Sequence, residues 1–462
     1  MEVTLQEILD AREARVLRQR QLLVKFGKPL ICFTMNIPGP IKTSDLIRDG
    51  FAIGNDTLRA QLAALDIPIL HFEDRSAHTG CEAFYVVSAD PKDIKRLTVE
   101  VEDSQSVGRL FDMDVLSPGG EKLSRQALDL PERTCLLCGN PAFLCSSRRA
   151  HSVEALQQKT NSLLRDAVWQ AESRSIGSLA EKSLLYEVCT TPKPGLVDRQ
   201  NSGSHRDMDI FTFASSAAAL RPYFEDCARV GMETQMLPPK ETFLRLRLHG
   251  RLAEQTMYRA TGGVNTHKGA IFTMGLLCGA AGRLSKEMRN SPESLLAECA
   301  AMVQGLSQRD FAGVTKENAR TTGQKLYTQY GITGIRGEAE AGFPTVLQTG
   351  LPILEQGIAN GMSLNDAGCA ALLHILAATD DTNVIARSDR ETQLELRRKI
   401  RSLLDRTPYP STETLNKLDR AFIARSLSPG GSADLLAAAY FLYFLKTHCT
   451  EKQTQKNTVS AF

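Results

Sequence analysis

The hydrophobic pattern of the chain changes near residue 176, and this change constrains the fold more than any other feature of the sequence. Before that point, β-rich runs at residues 30–34 and 83–87 follow a charged helical stretch at residues 7–25. After it, alternating patterns nearly vanish, and Ala- and Leu-rich segments with small residues at helical spacing replace them. The pattern predicts a multidomain chain, with an N-terminal α+β domain followed by an all-α helical domain.

The length of 462 residues also favours more than one domain, because a typical domain has about 150 residues. We assign residues 1–165 to the first domain, the polar residues 166–178 to a linker, residues 179–450 to the second domain and residues 451–462 to a polar C-terminal tail.

Further elements follow from local patterns. Two more strands are predicted over residues 97–101 and 109–115. Helices are predicted in the second domain over residues 211–220, 270–284, 364–379 and 433–445. The first of these should stop at Arg221-Pro222, since proline disrupts a helix interior.

Composition and charge exclude several classes of protein. A formal net charge of +2 gives no argument for nucleic-acid binding. The N-terminus is polar, and no run approaches about 18 apolar residues, so neither a secretory signal nor a membrane span is expected. Eleven cysteines, an odd number, argue against a complete disulfide framework. Reduced thiols in the cytoplasm fit better.

Asp112 and Asp114 form the first candidate site. They stand two residues apart on a predicted strand, so both carboxylates point to one face. There they could bind a divalent cation, with Mg²⁺ expected, that bridges the phosphates of a nucleotide. Arg109 lies close in sequence and could hold a phosphate. The alternative is an acidic strand end that faces solvent.

The turn at residues 36–42 follows the first predicted strand and contains Pro38-Gly39-Pro40. It could present backbone N–H groups and Lys42 to phosphates. A plain turn is an equally good interpretation.

Cys135, Cys138, Cys145 and His151 are of the types that bind zinc. Their spacing is not that of a standard finger or ribbon. We therefore favour reduced structural thiols near the basic Arg148 and leave zinc as the alternative.

Residues 36–39, 108–115 and 133–151 together resemble the apo-citrate lyase phosphoribosyl-dephospho-coenzyme-A transferase family, over most of residues 1–160. The resemblance implies transfer of a phosphoribosyl-dephospho-CoA unit to a serine of the acyl carrier (gamma) subunit of citrate lyase, with release of pyrophosphate. It does not assign the catalytic residues, so Asp112 and Asp114 remain an interpretation from chemistry.

Five polar motifs interrupt the helical half. A constrained loop at residues 191–199 carries Lys193 and Arg199, and residues 204–209 follow it. A Gly-rich turn at residues 261–270 leads into an apolar helix and could hold a polyphosphate at the helix N-terminus. A plain connecting turn would explain its glycines but not its polar groups.

The last two motifs contain acidic residues at helix ends. Asp380 and Asp381 end an apolar helix, where negative charge is unfavourable unless it binds a cation or caps a helix, and this favours a Mg²⁺ site. Asp434 lies near the start of the last apolar helix, where capping competes with catalysis.

These motifs, in this order, closely resemble the triphosphoribosyl-dephospho-coenzyme-A synthase family over about residues 180–445. The resemblance implies an all-helical fold, ATP and dephospho-CoA as substrates, and loss of adenine. A glycine expected soon after Arg387 is missing, which weakens any role for Ser388. A sister family that serves malonate decarboxylase shares the pattern, but the N-terminal half points to citrate lyase.

The chemistry assigns a role to each candidate in this half. An oxocarbenium-like transition state needs carboxylates, and its triphosphate needs cations. We predict charge stabilisation, with Mg²⁺ on the last two, by Asp207, Asp209, Asp380 and Asp381. We predict substrate or phosphate binding by Lys193, Arg199, His205, Gly262, Gly263, Asn265, His267, Lys268, Asn383, Ser432 and Asp434. An alternative from another class is that one half is inactive and serves as a docking module.

Overall fold

The computed structural model describes the backbone of residues 2–459 and the side chains of residues 2–448. The chain forms two compact units, one built from the chain up to Ala171 and the other from Glu172–Thr454. The division falls inside a helix, Val153–Cys189, which contains the whole segment predicted as a linker. Of the predicted C-terminal tail, residues 460–462 and all the side chains lie outside the described residues.

In chain order the elements of the first unit are α1 (Leu5–Phe26), β1 (Leu30–Met35), α2 (Asp45–Ala64), β2 (Ile69–Ala77), β3 (Gly80–Val87), α3 (Pro91–Ser104), β4 (Phe111–Leu116), β5 (Lys122–Leu123), α4 (Ala142–Ser147) and the start of α5 (Val153–Cys189), with short 3-10 turns at Ser106–Leu110 and Gln126–Leu128. The strands form a five-stranded antiparallel sheet with the order β2-β3-β1-β4-β5.

The two faces of this sheet are covered unequally. One face packs on α2, α3 and the start of α5 in a core that includes Phe33 and Met113. On the other face, Leu22 and Leu23 of α1 pack on Cys32 and its neighbours. Alternation along β4 places Asp112 and Asp114 on that second face, both half-buried. The predicted α+β domain and its shared carboxylate face are confirmed.

The strand predicted over residues 97–101 is wrong, because these residues belong to α3. Asp90 caps the helix through the Lys92 N–H, and Pro91 occupies its first turn. Leu97 and Val101, four residues apart, both enter the core. The Asp-Pro start signal outweighs the β-branched residues that favoured a strand.

The second unit is helical throughout its described residues, which confirms the predicted all-α domain. After α5, its elements are α6 (Ile210–Glu233), α7 (Pro239–Ala260), α8 (Lys268–Arg283), α9 (Lys286–Arg289), α10 (Pro292–Val303), α11 (Leu306–Phe311), α12 (Thr322–Tyr330), α13 (Ile335–Glu340), a π-helical stretch at Val346–Gly350, α14 (Leu351–Ala359), α15 (Leu364–Ala378), α16 (Thr382–Arg387), α17 (Arg390–Leu404), α18 (Thr412–Ala424) and α19 (Gly430–Val459).

The predicted stop at Arg221-Pro222 is also wrong, since α6 continues to Glu233. Beyond Pro222, the side chains of Phe224 and Cys227 are fully buried. Burial of this apolar face outweighs the hydrogen bond that proline removes. None of the helices in the described part of the chain is long and apolar enough to cross a membrane.

Glycine allows α6 and α8 to pack backbone against backbone. A Cβ atom on Gly231 would lie 2.1 Å from the carbonyl oxygen of Gly279, and one on Gly282 would lie 2.0 Å from that of Ala228. Neither neighbour can move as a side chain could, so the close approach requires glycine at both positions.

We therefore expect Gly231→Ala to lower the free energy of unfolding of the second unit by about 1–3 kcal/mol through overpacking. Gly250→Ala, inside α7, is the matched control, because its new Cβ would meet only the Tyr223 hydroxyl at 3.6 Å. This control should raise stability by about 0.5–1 kcal/mol. Urea unfolding followed by far-UV circular dichroism checks both, and equal effects would contradict the packing argument.

Candidate active sites

A cavity of about 1400 Å³ in the second unit brings together residues from all five polar motifs. It is bounded by the loop after α5, the N-terminal ends of α8 and α19, and the junction of α15 and α16. The predicted site residues that line it are Lys193, His205, Asp207, Asn265, His267, Lys268, Asp380, Asp381, Asn383 and Asp434.

Asp381 is the most heavily hydrogen-bonded group of this cavity. It is the N-cap of α16, and its Oδ1 accepts from the backbone N–H groups of Asn383 (2.9 Å) and Val384 (3.2 Å). Its Oδ2 accepts from the N–H and hydroxyl of Ser432 at 2.7 and 2.8 Å. Burial raises the pKa of Asp381, and these donors oppose the rise. The carboxylate thus joins the N-termini of α16 and α19.

This geometry corrects the reason given for a cation at the two aspartates. Asp381 lies at the start of a helix rather than only after the end of one, so its charge is favourable there. Asp380 pairs with Arg397 at 2.5 Å. Neither carboxylate therefore requires a metal for its charge to be balanced.

Asp434 lies against the first turn of α8. A Cβ on Gly269 would be 1.9 Å from Oδ2 of Asp434, so any larger residue there would displace this carboxylate. The backbone N–H of Ala270 donates to the carboxylate. Burial, with the charges of Glu187 and Asp381, raises the pKa of Asp434 well above its usual range.

A buried ion pair lies beside these carboxylates. Lys193 is 1% exposed and bonds to Glu187 through its ammonium group. Burial raises the pKa of Glu187, and the lysine charge opposes the rise. Glu187 is paired with Lys193, whereas its charge and that of Asp381 both act on Asp434, so this part of the pocket favours cations or a bound proton.

The loop that carries Lys193 is fixed by two buried aspartates. Asp198 accepts from the Lys193 N–H at 2.9 Å, and Asp419 of α18 accepts from the Gly195 N–H at 2.9 Å. Gly195 has a φ of +71°, and a Cβ there would lie 2.2 Å from the carbonyl oxygen of Leu427. The loop is therefore held rigidly at the cavity wall.

His267 presents a neutral imidazole. Burial and the charge of Lys193 lower its pKa to about 3. Its Nδ1 lies 2.7 Å from the Ser216 hydroxyl, which already accepts from Thr266 at 2.8 Å. Donation by Ser216 to Nδ1 would place the His267 proton on Nε2. That Nε2 is buried and has no hydrogen-bond partner among the described residues.

His205 is also held without charge. Its Nε2 lies 2.8 Å from the Ser428 hydroxyl, and its Nδ1 accepts from Arg387 at 3.2 Å. Burial, followed by the charge of Arg387, lowers its pKa. Asp207, 3.9 Å away from Nδ1, is mostly exposed at the cavity.

Several predicted residues do not line the cavity. Arg199 bonds to Thr191 and Asn365. Asp209 is the N-cap of α6 in a capping box with Thr212. Gly262 and Gly263 form the left-handed turn after α7, and Ser432 reaches the site only through Asp381.

Sequence reasoning missed one wall of this cavity. Glu187 and a glycine- and threonine-rich segment within residues 320–338 line it. The lining residues of this segment are Arg320, Thr321, Thr322, Gly323, Tyr330, Gly331, Ile332, Thr333, Gly334, Ile335, Arg336, Gly337 and Glu338. The polar composition of this segment, without apolar periodicity, could have indicated from the sequence a loop that lines a site.

In the first unit, the carboxylates of Asp112 and Asp114 each lie beside a cation. Asp114 pairs with Lys122 at 2.6 Å, and Asp112 lies 3.7 Å from Arg133. Burial and the nearby charge of Asp114 raise the pKa of Asp112. Arg133 also binds the buried Glu102 at 2.5 Å. The arrangement holds two acidic and two basic groups at one end of an open sheet face.

The other predicted residues of this unit lie around the same end of the sheet. The N–H of Asn36 donates to Leu110 at 2.8 Å, which ties the Pro-Gly-Pro turn to β4. Lys42 donates to Ile37 at 2.5 Å, and burial lowers its pKa. Arg109 lines a separate cavity of about 240 Å³ and donates to the carbonyl oxygen of Thr134.

The chain thus has two candidate sites, one on a sheet face of the first unit and one in a helical cavity of the second. Residues 3–167 match the apo-citrate lyase phosphoribosyl-dephospho-CoA transferase family, and residues 173–452 match the ATP:dephospho-CoA triphosphoribosyl transferase family. The chain belongs to both families and is a bifunctional transferase, which confirms both resemblances.

Full-length relatives have the same arrangement. The protein CitXG of Haemophilus influenzae is 36% identical over 95% of this chain and 96% of its own length. That of Leuconostoc mesenteroides is 35% identical over 95% and 97%. A 2-(5''-triphosphoribosyl)-3'-dephosphocoenzyme-A synthase of Pectobacterium atrosepticum is 44% identical over 57% of this chain and 87% of its own length.

The raised pKa of Asp434 predicts how stability depends on pH. The folded state binds this proton more tightly than the unfolded state does, so stability falls as pH rises through the folded-state pKa. Asp434→Asn removes the titration, and its stability relative to the unaltered protein should increase between pH 5 and pH 8. Urea unfolding at both values measures this difference. Exposed Asp405→Asn is the control, and parallel pH curves for Asp434→Asn would contradict the assignment.

Proposed function

We propose that this chain makes the prosthetic group of citrate lyase and attaches it to the acyl carrier subunit of that enzyme. The second unit joins ATP to dephospho-CoA and releases adenine. The first unit then transfers phosphoribosyl-dephospho-CoA to a carrier serine and releases pyrophosphate. The observation that carries the proposal is the cavity of the second unit, with its neutral histidines, buried carboxylates and flanking cations. The family matches favour this role over service to malonate decarboxylase.

The synthase step breaks one bond and forms one bond at the anomeric carbon of ATP. The 2′-hydroxyl of dephospho-CoA attacks that carbon, adenine leaves, and the triphosphate remains on the transferred ribose. We propose that Asp434 accepts the hydroxyl proton, because it is a carboxylate of the cavity wall and burial raises its pKa. Asp207 and Asp380 would stabilise the positive charge that develops on the ribose.

Phosphates require cations that are accessible from the cavity. Lys193 is paired with Glu187 deep in the wall, so we assign it to the support of the carboxylates instead. Lys268 is half-exposed beside Glu254 at 2.9 Å, and Arg320 and Arg387 also face the cavity. We propose that these three cations bind the triphosphate, with the Nε2–H of His267 as a neutral donor.

Magnesium fits this cavity only together with substrate phosphates. Among the described residues, the cavity holds no group of three acidic or imidazole ligands close enough to form a site. Mg²⁺ commonly uses one or two carboxylates plus phosphates. We propose that Asp380 and Asp207 would hold it and that it would neutralise phosphate charge.

In the first unit, we propose that Asp112 and Asp114 act on the pyrophosphate bond. The carrier serine attacks the phosphate next to the ribose and gives its proton to Asp112, whose pKa is raised, and pyrophosphate leaves with the electrons of the broken P–O bond. This step needs positioning and charge neutralisation. Lys122 and Arg133, each beside one carboxylate, supply cations there. Two carboxylates suit a Mg²⁺ that arrives on the leaving pyrophosphate.

The first test is an intact-mass spectrum of apo carrier subunit incubated with this protein, ATP, Mg²⁺ and dephospho-CoA. We expect a gain of one phosphoribosyl-dephospho-CoA unit per carrier and free adenine. Adenine without the mass gain would mean that the first unit is only a docking module. Absence of both would contradict the proposal. Repeating the assay with the malonate decarboxylase carrier tests which lyase is served.

Single substitutions should separate the two activities. Asp434→Asn should reduce adenine release by at least about 100-fold, because it removes the proposed base. Asp112→Asn should leave adenine release unchanged and abolish the mass gain. Asp74→Asn, an exposed residue on β2, is the matched control and should affect neither.

The proposed role of His267 as an uncharged hydrogen-bond donor can be tested. Because the pKa of His267 is about 3, the imidazole stays uncharged across the working pH range. Its titration should therefore cause no change in the rate of adenine release above pH 5. His267→Gln keeps a neutral donor and should retain more adenine release than His267→Ala. Equal losses in both variants, or a change in that rate near pH 6.5 that His267→Gln removes, would rule out this role.

A further inference from the structure

Four potential metal ligands meet in the first unit, away from the acidic face. They are Cys135, Cys138, Cys145 and His151, and their ligand atoms all lie within 4.8 Å of one another. Among the described residues, no other set of three or more Cys, His, Asp or Glu is as close. The ligands come from two pieces of chain, the turn that carries Cys135 and Cys138 and the segment that carries Cys145 and His151.

We propose that these four side chains bind one structural zinc ion. Zinc takes four tetrahedral N and S ligands at about 2.3 Å from sulfur and about 2.0–2.1 Å from nitrogen. Such bond lengths place neighbouring sulfurs about 3.8 Å apart. The Cys138 and Cys145 sulfurs are 3.4 Å apart, close to that value and far from the roughly 2.05 Å of a disulfide.

The backbone around the first two cysteines is already shaped for a metal. The N–H of Cys135 donates to Asn140 at 2.6 Å, and Gly139 turns the chain with a φ of +75°. The N–H of Leu137 points at the Cys135 sulfur from 3.4 Å, as a donor to a thiolate would. A two-residue spacing on a tight turn therefore presents both sulfurs to one point.

The other two ligands come from a second piece of chain. Cys145 is on α4, and its carbonyl oxygen accepts from Ala150 at 3.0 Å, which turns the chain back toward His151. Nε2 of His151 is buried and has no hydrogen-bond partner among the described residues. A buried ring nitrogen without a partner is costly unless a ligand occupies it.

The segment also needs something to hold it together. Between residues 133 and 151 the only buried side chain is Cys135, so this stretch has no apolar core of its own. Small regions without a core are commonly held by a metal or by disulfides. Four protein ligands leave no open position on zinc, so the ion is structural.

The site would control the position of Arg133, which precedes the first ligand by two residues. Arg133 binds Glu102 and lies beside Asp112, and Thr134 accepts from Arg109. Zinc thus makes Arg133 a residue positioned by the metal rather than by apolar packing. Loss of the ion should free this cation from the acidic face.

Metal analysis of the full-length chain, purified under reducing conditions and dialysed against zinc-free buffer, tests the proposal. We expect about one zinc per chain, a loss of zinc in Cys138→Ser, and full retention in Cys189→Ser, an exposed cysteine of the second unit. Cobalt replacement should give thiolate-to-metal charge-transfer bands in the near ultraviolet that Cys138→Ser lacks.

A second variant pair guards against simple misfolding. His151→Cys keeps four ligands and should retain zinc, whereas His151→Ala should lose most of it. Circular dichroism of both checks that the rest of the chain folds. Wild-type protein that takes up no zinc on reconstitution, zinc that survives both Cys138→Ser and His151→Ala, or a Cys138–Cys145 disulfide in the purified protein would each overturn the proposal.

Discussion

One buried carboxylate, that of Asp381, organises the helical unit. It accepts four hydrogen bonds and so satisfies the first turns of α16 and α19 together. Helix starts leave unsatisfied N–H groups, which are costly when buried. Because a single side chain satisfies two such starts, the two helices are fixed relative to each other at the cavity. The positions of Asp380, Asn383 and Asp434 follow from that junction.

The acidic residues of the two units differ in their burial and in the cations beside them. On the sheet face, Asp112 and Asp114 are half-buried and each is near its own cation. In the cavity, Glu187 and Asp381 are buried, Asp434 is half-buried, and the buried Lys193 pairs with Glu187. A half-buried pair suits charge neutralisation near phosphates. A buried, incompletely neutralised group suits proton transfer, since burial raises its pKa.

Most of the fold could be predicted from patterns, but the partners of each site residue could not. Alternation along β4 and the Ala-rich helices were sufficient for the fold class and for the shared face of Asp112 and Asp114. The predictions failed where two signals competed, as in the β-branched residues of α3 and at Pro222, where burial decides. Arg199 and Asp209 carry suitable chemistry, but Arg199 bonds to other side chains and Asp209 caps α6, and only tertiary contacts separate them from Asp207. The wall at residues 320–338 lacked periodicity and so was overlooked.

The glycine contact between α6 and α8 has a consequence for the cavity, because α8 begins at its edge. Side chains at a helix interface exchange rotamers, and each exchange lets the helices shift slightly. Where the backbones themselves touch, at Gly231 and Gly282, there are no rotamers to exchange. Axial sliding of α8 is thereby suppressed, and its first turn, with Gly269 against Asp434, forms a stationary reference point.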